Sequence, residues 1–207
     1  MFSSPTPHLI RHTKASPLLA FFAAFIIILS LNPTDALANK AAENWVKNVG
    51  TKVLTVMSSS AADSTKKAKF RNLFITYADT RRIGTSALGK YAKKIGGKRA
   101  AYDRALKDYV VNVYYRNLKG YQGKSIETKR SIDRSREVIV NSVFKFVNRG
   151  DVPIKWRLIK SGGGFKIFDL NVAGIWLGQA QQKSFVSTIS KNGGDVGSII
   201  AFMKGTK

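Results

Sequence analysis

Glu137-Val138-Ile139-Val140-Asn141-Ser142-Val143-Phe144-Lys145-Phe146-Val147-Asn148 is the stretch that decides the fold. Val138, Val140, Ser142, Phe144 and Phe146 fall on one face of an extended chain, and Ile139, Asn141, Val143, Lys145 and Val147 on the other. A period of two is the mark of a β-strand. Downstream, Arg149-Gly150-Asp151 supplies turn residues. The alternation then resumes over 152–160, with Val152, Ile154, Trp156 and Leu158 facing one way and Lys155 and Arg157 the other. Gly162-Gly163-Gly164 makes a hairpin into 165–172, and the run lacks the Lys-Ser/Thr ending that a phosphate-cradling loop requires. Three consecutive antiparallel strands are expected. Upstream, 125–132 reads as a polar strand whose charges suit the edge of a sheet.

On either side of this block the apolar period changes to about 3.6, so helices flank the strands. Trp45, Val49, Val53 and Met57 recur every four residues, with Val46, Leu54 and Val56 beside them. A second helix carries Phe70, Leu73, Phe74 and Tyr77, with Asp63, Ser64 or Thr65 as its cap. A short piece over 79–84 leads to a helix over 86–95, which Gly96-Gly97 stops. The longest helix is predicted over 98–118, with Tyr102, Leu106, Tyr109, Val113 and Asn117 on one stripe and Val110 and Tyr114 next to it. After the strands, a helix over 175–190 breaks at Gly193-Gly194, and Asp195 caps a last helix carrying Val196, Ile199, Ile200 and Met203. With no internal repeat, these elements predict one α+β domain.

The first residues set the compartment. Arg11 and Lys14 precede an apolar run over 17–31, and Ala36-Leu37-Ala38 follows as a small-x-small cleavage box. Residues 1–38 therefore read as a secretory signal peptide, and the mature domain as 39–207. The apolar run is shorter than the roughly 20 residues a membrane-spanning helix needs.

The formal charge of +23 falls to +22 once Arg11, Lys14 and Asp35 leave with the signal segment. In an exported protein that excess suits anionic headgroups or acidic partner faces, not nucleic acid. Solvation of scattered lysines is the competing account, since no long run of like charge occurs.

Cysteine is absent, and the two histidines, His8 and His12, lie in the signal segment. The mature chain thus lacks the usual general base, thiol nucleophile and soft metal ligands. No Gly-x-Ser-x-Gly elbow or paired carboxylate motif is present either. Neither catalytic residue nor metal site is assigned. Ordinary core packing explains most of the aromatic and aliphatic bulk, because apolar stripes normally face a filled interior, and composition alone favours that over a ligand cavity.

Phe165-Lys166-Ile167-Phe168-Asp169-Leu170-Asn171-Val172-Ala173-Gly174-Ile175-Trp176-Leu177 resembles the strand-then-helix signature of the MlaC family, the toluene-tolerance type of periplasmic phospholipid-binding protein. Phe185, Ile189 and Gly193-Gly194 follow at the spacing of that family's helix and glycine stop. Leu88-Gly89-Lys90-Tyr91 resembles its Leu-Gly-x-Tyr segment, and Tyr109, Tyr114, Leu118 and Tyr121 its long helix with spaced tyrosines. The chain departs from the family at Ala78-Asp79, Tyr91-Ala92 and Gln181-Gln182, which marks a divergent branch.

The resemblance implies a helical N-terminal half packed with a curved antiparallel sheet around an apolar lipid cavity, then C-terminal helices. It implies a monomeric, non-enzymatic periplasmic carrier whose only cofactor-like ligand is its cargo phospholipid. Its implied partners are an outer-membrane lipoprotein complex and an inner-membrane ABC transporter, in a system that maintains outer-membrane lipid asymmetry. Within that fold the candidate lipid-binding residues are Phe74, Tyr77, Leu88, Tyr109 and Val113 from the helices. The strands add Val138, Val140, Phe144, Ile154, Trp156, Leu158, Phe168, Leu170 and Val172. A hopanoid or other isoprenoid cargo is the alternative ligand. A non-lipid periplasmic adaptor and a small hydrolase or isomerase on the same scaffold are the alternative functions.

Overall fold

In a computed structural model, which describes residues 38–206, Asn39 opens the first helix by accepting from Ala42 N through its side-chain oxygen at 2.9 Å. That helix, α1 (Lys40–Ser58), buries Val46, Val49 and Leu54, and it lies against the sheet. Gly50 permits the close approach, because a Cβ there would meet Ile126 Cδ1 at 2.4 Å and Phe144 Cε1 at 3.1 Å. The signal-peptide reading of 1–38 falls almost wholly outside the described residues. None of the described helices is long and apolar enough to cross a membrane.

The second helix, α2 (Asp63–Tyr77), carries its apolar stripe as expected, yet Phe70, Leu73, Phe74 and Tyr77 are all only half-buried. Its expected side-chain cap is absent. Ala62 holds the capping position, and the Asp63 carboxylate instead accepts from Tyr115 Oη at 2.7 Å and pairs with Lys119 Nζ at 2.6 Å. Two stronger partners, one in the last turn of another helix and one just past its end, hold that carboxylate instead of the local backbone. They hold it below the ordinary aspartate range, Lys119 first and Tyr115 second, while burial pushes Tyr115 itself up to about 12.

The helix α3 (Thr80–Leu88) follows, capped by Asp79, whose carboxylate accepts from Arg82 N at 3.0 Å. Where a separate helix over 86–95 was expected, the chain continues as two short 3₁₀ turns, Gly89–Lys94 and Gly96–Lys98. Gly89 takes φ +51°, a left-handed conformation that ends an α-helix in mid-pattern. The longest helix, α4 (Arg99–Leu118), matches its predicted span within a residue.

The strands form a five-stranded antiparallel meander in chain order. They are β1 (Gly123–Asp133), β2 (Glu137–Phe146), β3 (Val152–Ser161), β4 (Gly164–Val172) and the short β5 (Ile175–Trp176). The alternation fixes the register of the central pair: Val138 faces Leu158, Val140 faces Trp156, Ser142 faces Ile154 and Phe144 faces Val152. The buried Trp156 indole nitrogen donates to Ser142 Oγ at 2.8 Å, so the one polar residue in this face is used. Gly162 and Gly163, at φ +55° and +76°, make the tight β3–β4 turn.

Ile175 and Trp176 pair with Val172 and Asn171, so the helix predicted from 175 starts two residues later, as α5 (Leu177–Lys191). A last helix, α6 (Gly197–Gly205), follows Asp195, whose carboxylate accepts from Gly197 N at 2.8 Å. The architecture is α+β, with N-terminal helices, a central antiparallel sheet and C-terminal helices.

Candidate apolar ligand site

Burial divides the apolar residues into two cores rather than one. The first joins α3, α4, α5, α6 and the 3₁₀ turns around Leu88, Tyr102, Leu106, Phe185, Ile189 and Ile199. The second joins α1 to the inner face of the sheet around Val46, Val138, Val140, Phe144, Trp156 and Leu158. The candidate lining residues divide accordingly. Val138, Val140, Phe144, Ile154, Trp156 and Leu158 are buried in the sheet-side core, with Tyr77 and Leu170 half-buried at its border. Leu88 and Tyr109 are buried in the helical core, with Phe74 and Val113 half-buried against it. Phe168 and Val172 are half-buried on β4. Two surface depressions, one over the β3–β4 turn and one between α4 and α6, include none of these residues.

At the margin of the sheet-side core lies a group of half-buried aromatic side chains, of which Phe165 was not among the candidate lining residues. Trp45 on α1 meets the Tyr77 ring edge-on at 5.7 Å between centroids and Phe165 at 6.0 Å. Lys52 Nζ reaches Tyr77 Oη at 2.7 Å and lies 5.2 Å from the ring centroid, so a cation stands at this margin. A register shift explains why Ile167 was missed. Asp169 pairs with Arg157 and Ile167 with Leu158, which leaves Phe168 unpaired in a bulge. One extra residue hands the core-facing place from Phe168 to Ile167, and Ile167 packs against the sheet-side core.

The same bulge sets Asp169, a buried residue, against the start of α5. Its Oδ1 accepts from Gly178 N and Leu170 N, each at 2.8 Å, and a Cβ on Gly178 would sit 2.9–3.0 Å from the carboxylate. A carboxylate on the first turn of a helix meets both free N–H groups and the positive end of the helix dipole. Burial nevertheless holds Asp169 above the ordinary aspartate range, with those two bonds and the nearby Arg157 pulling the other way. Arg157 stacks on Trp176 at 4.4 Å and approaches Glu137 Oε2 at 3.6 Å. On the helical side Tyr114 is pushed up to about 12, first by burial, then by Tyr109 and Asp169. Gln181, one of the departures noted above, brings its Nε2 to 3.5 Å from Tyr109 Oη.

Among the described residues no group of three His, Cys, Asp or Glu side chains is placed to hold a metal. Helices laid on a meander sheet, with two apolar cores, define an α+β scaffold. The model of the family described as MlaC protein matches residues 47–204. The chain belongs to the MlaC family and is, with it, a periplasmic lipid-binding carrier and not an enzyme. Among solved structures, the phospholipid-binding protein from Ralstonia solanacearum, solved in complex with a phospholipid, has the same fold. It superposes with a TM-score of 0.67 at 24% identity, over 81% of this chain and 96% of that one. No curated protein matches the sequence.

Proposed function

We propose that this protein carries glycerophospholipid through the periplasm between an outer-membrane lipoprotein complex and an inner-membrane ABC transporter, and so maintains outer-membrane lipid asymmetry. The acyl chains lie between the helical core and the sheet-side core, with the sheet curved around them and the headgroup at the aromatic border. The division of the apolar interior into two cores is the observation that carries this reading. A filled globular interior of this size ordinarily forms one contiguous core. Register shifts in β1 and at Phe168 support a bent sheet, since bulges curve the strand that contains them. The bound phospholipid of the Ralstonia solanacearum protein supports the choice of cargo.

Each acyl methylene exposed to water costs about 0.8 kcal/mol, so two chains of about 16 carbons would cost roughly 25 kcal/mol to move bare. An apolar interior removes that barrier without covalent chemistry. Native mass spectrometry of the protein exported from the full-length chain tests the reading. Co-purified glycerophospholipid is expected. An isoprenoid mass would transfer the reading to the alternative cargo, and a lipid-free protein that takes up no phospholipid from vesicles would leave the adaptor function in its place.

In this reading residues 1–38 are removed on export, and the basic surface steers docking. Charge steering acts mainly on the association rate and is screened by salt. Binding to anionic vesicles should therefore weaken steeply as sodium chloride rises past 0.15 M, where the Debye length is about 8 Å. Bound lipid should stay in place through the same titration, because burial of acyl chains is not screened. Release of lipid by salt with docking unchanged would sink this division of labour.

A further inference from the structure

Asn39 uses every polar atom it has. Its side-chain oxygen caps α1, its side-chain nitrogen donates to Asp133 Oδ2 at 2.7 Å, and its carbonyl accepts from Glu43 N at 3.0 Å. Its backbone nitrogen donates to Ser131 Oγ at 2.7 Å. Ser131 is fully buried, and its hydroxyl donates onward to Glu43 Oε1 at 2.8 Å, the oxygen that also accepts from Ser131 N at 3.1 Å. Glu43 is only 5% exposed, and Lys40 reaches its other oxygen from solvent at 2.8 Å. Asp133 is paired with Lys160 at 2.7 Å. The backbone nitrogen of Asn39 thus heads a chain that ends on a buried carboxylate, and a second carboxylate is tied to the same residue.

We propose that Ser131, Glu43 and Asp133 form a receptor for the α-amine of Asn39 that cleavage after Ala38 creates. The proposal rests on the cleavage assigned above. Water splits the Ala38–Asn39 peptide bond, its oxygen completing the Ala38 carboxylate and its hydrogen the new amine, which is protonated below about pH 8. A peptide nitrogen there has one hydrogen, already given to Ser131, whereas an ammonium has three and a full charge. A positive charge at a helix N-terminus opposes the helix dipole. A chain that begins at this point therefore needs a compensating anion, and two carboxylates of this molecule stand there. Processing replaces a neutral tether between α1 and β1 with a charged one, relayed to Glu43 through the Ser131 hydroxyl and flanked by Asp133.

The test compares the chain beginning at Asn39 with one beginning at Ala36, in which Asn39 keeps a peptide nitrogen. Residues 36–207 form a compact unit of their own, so both chains contain it complete or nearly so. The free-amine chain is expected to show about a fivefold larger folding constant, read as a melting temperature about 2–4 °C higher. That difference should shrink in Asp133→Asn, where Glu43 alone remains, and persist in full in Lys160→Gln, which removes the other partner of Asp133. Equal melting temperatures, or a difference that Asp133→Asn leaves undiminished, overturns the proposal. So does an intact mass of the exported protein that places its terminus elsewhere, a result that leaves the lipid-carrier reading untouched, since bound lipid is measured separately.

Discussion

Asp169→Ala is expected to lower stability by about 2–4 kcal/mol, read as a fall in the denaturant midpoint at unchanged slope. The loss comes from the donors left behind. Gly178 N and Leu170 N, each 2.8 Å from the carboxylate oxygen, lose their acceptor in half-buried backbone. Asp169→Asn retains an acceptor in the same place and should lose less than half as much. The pH dependence separates the two further. Because burial raises the Asp169 carboxyl in the folded chain, the unfolded chain ionises first. The native state therefore loses stability as pH rises from about 3.9 through the higher folded value. Asp169→Asn should abolish that decline. Glu43 and Asp133 work in the opposite sense: Lys40 holds Glu43 low and Lys160 holds Asp133 low, so their contribution is present above their unfolded values and lost as pH falls.

Phe185→Ala should cost about 3–5 kcal/mol, among the largest losses expected of a single truncation in the helical core. Phe185 is fully buried, with its ring 5.6 Å from that of Tyr109 and 6.5 Å from that of Phe202. Truncation removes transfer energy, two aromatic contacts and the filling between α4, α5 and α6 together. Phe202 is 41% exposed, so Phe202→Ala should cost well under half as much by the same thermal melts. Equal losses from the two would show that the cavity left by Phe185 collapses and that the helical core is looser than its burial indicates.

The inner faces of β2 and β3 were legible because nothing interrupts their alternation: the residues read from the sequence as one face are those that pair in register. The long helix Arg99–Leu118 was legible for the same reason, with its period intact and glycines beyond its end. The errors lie where a single backbone event breaks a pattern. Gly89 at positive φ turns a predicted helix into 3₁₀ turns, and the bulge at Phe168 exchanges that residue for Ile167. Asp63 failed as a cap because its partners, Tyr115 and Lys119, lie more than fifty residues away and leave no local trace. Trp45 and Tyr114 were legible as members of apolar stripes, but not as neighbours of different cores. An apolar stripe says that a side chain is turned inward and not which of two cores receives it. Family resemblance supplied the kind of cargo, and geometry supplied the reason for one of its motifs: the Asp of the strand and the Gly after Trp176-Leu177 are a carboxylate and the helix start it holds.

The meander gives each strand a partner that is its neighbour in the chain, while α1 is tied to β1 across 92 residues, from Asn39 to Ser131. Contacts closed over short loops form first, and those that close long ones wait. In a chain synthesised N-terminus first, the helix that emerges earliest is thus the one that docks last. Until β1 and β2 follow it, Val46, Val49 and Leu54 have no surface to cover them. Pulse-labelled hydrogen exchange during refolding should accordingly find the amides of β2 and β3 protected before those of α1. The interval between the two is the time in which a chaperone or a protease has the new protein within reach.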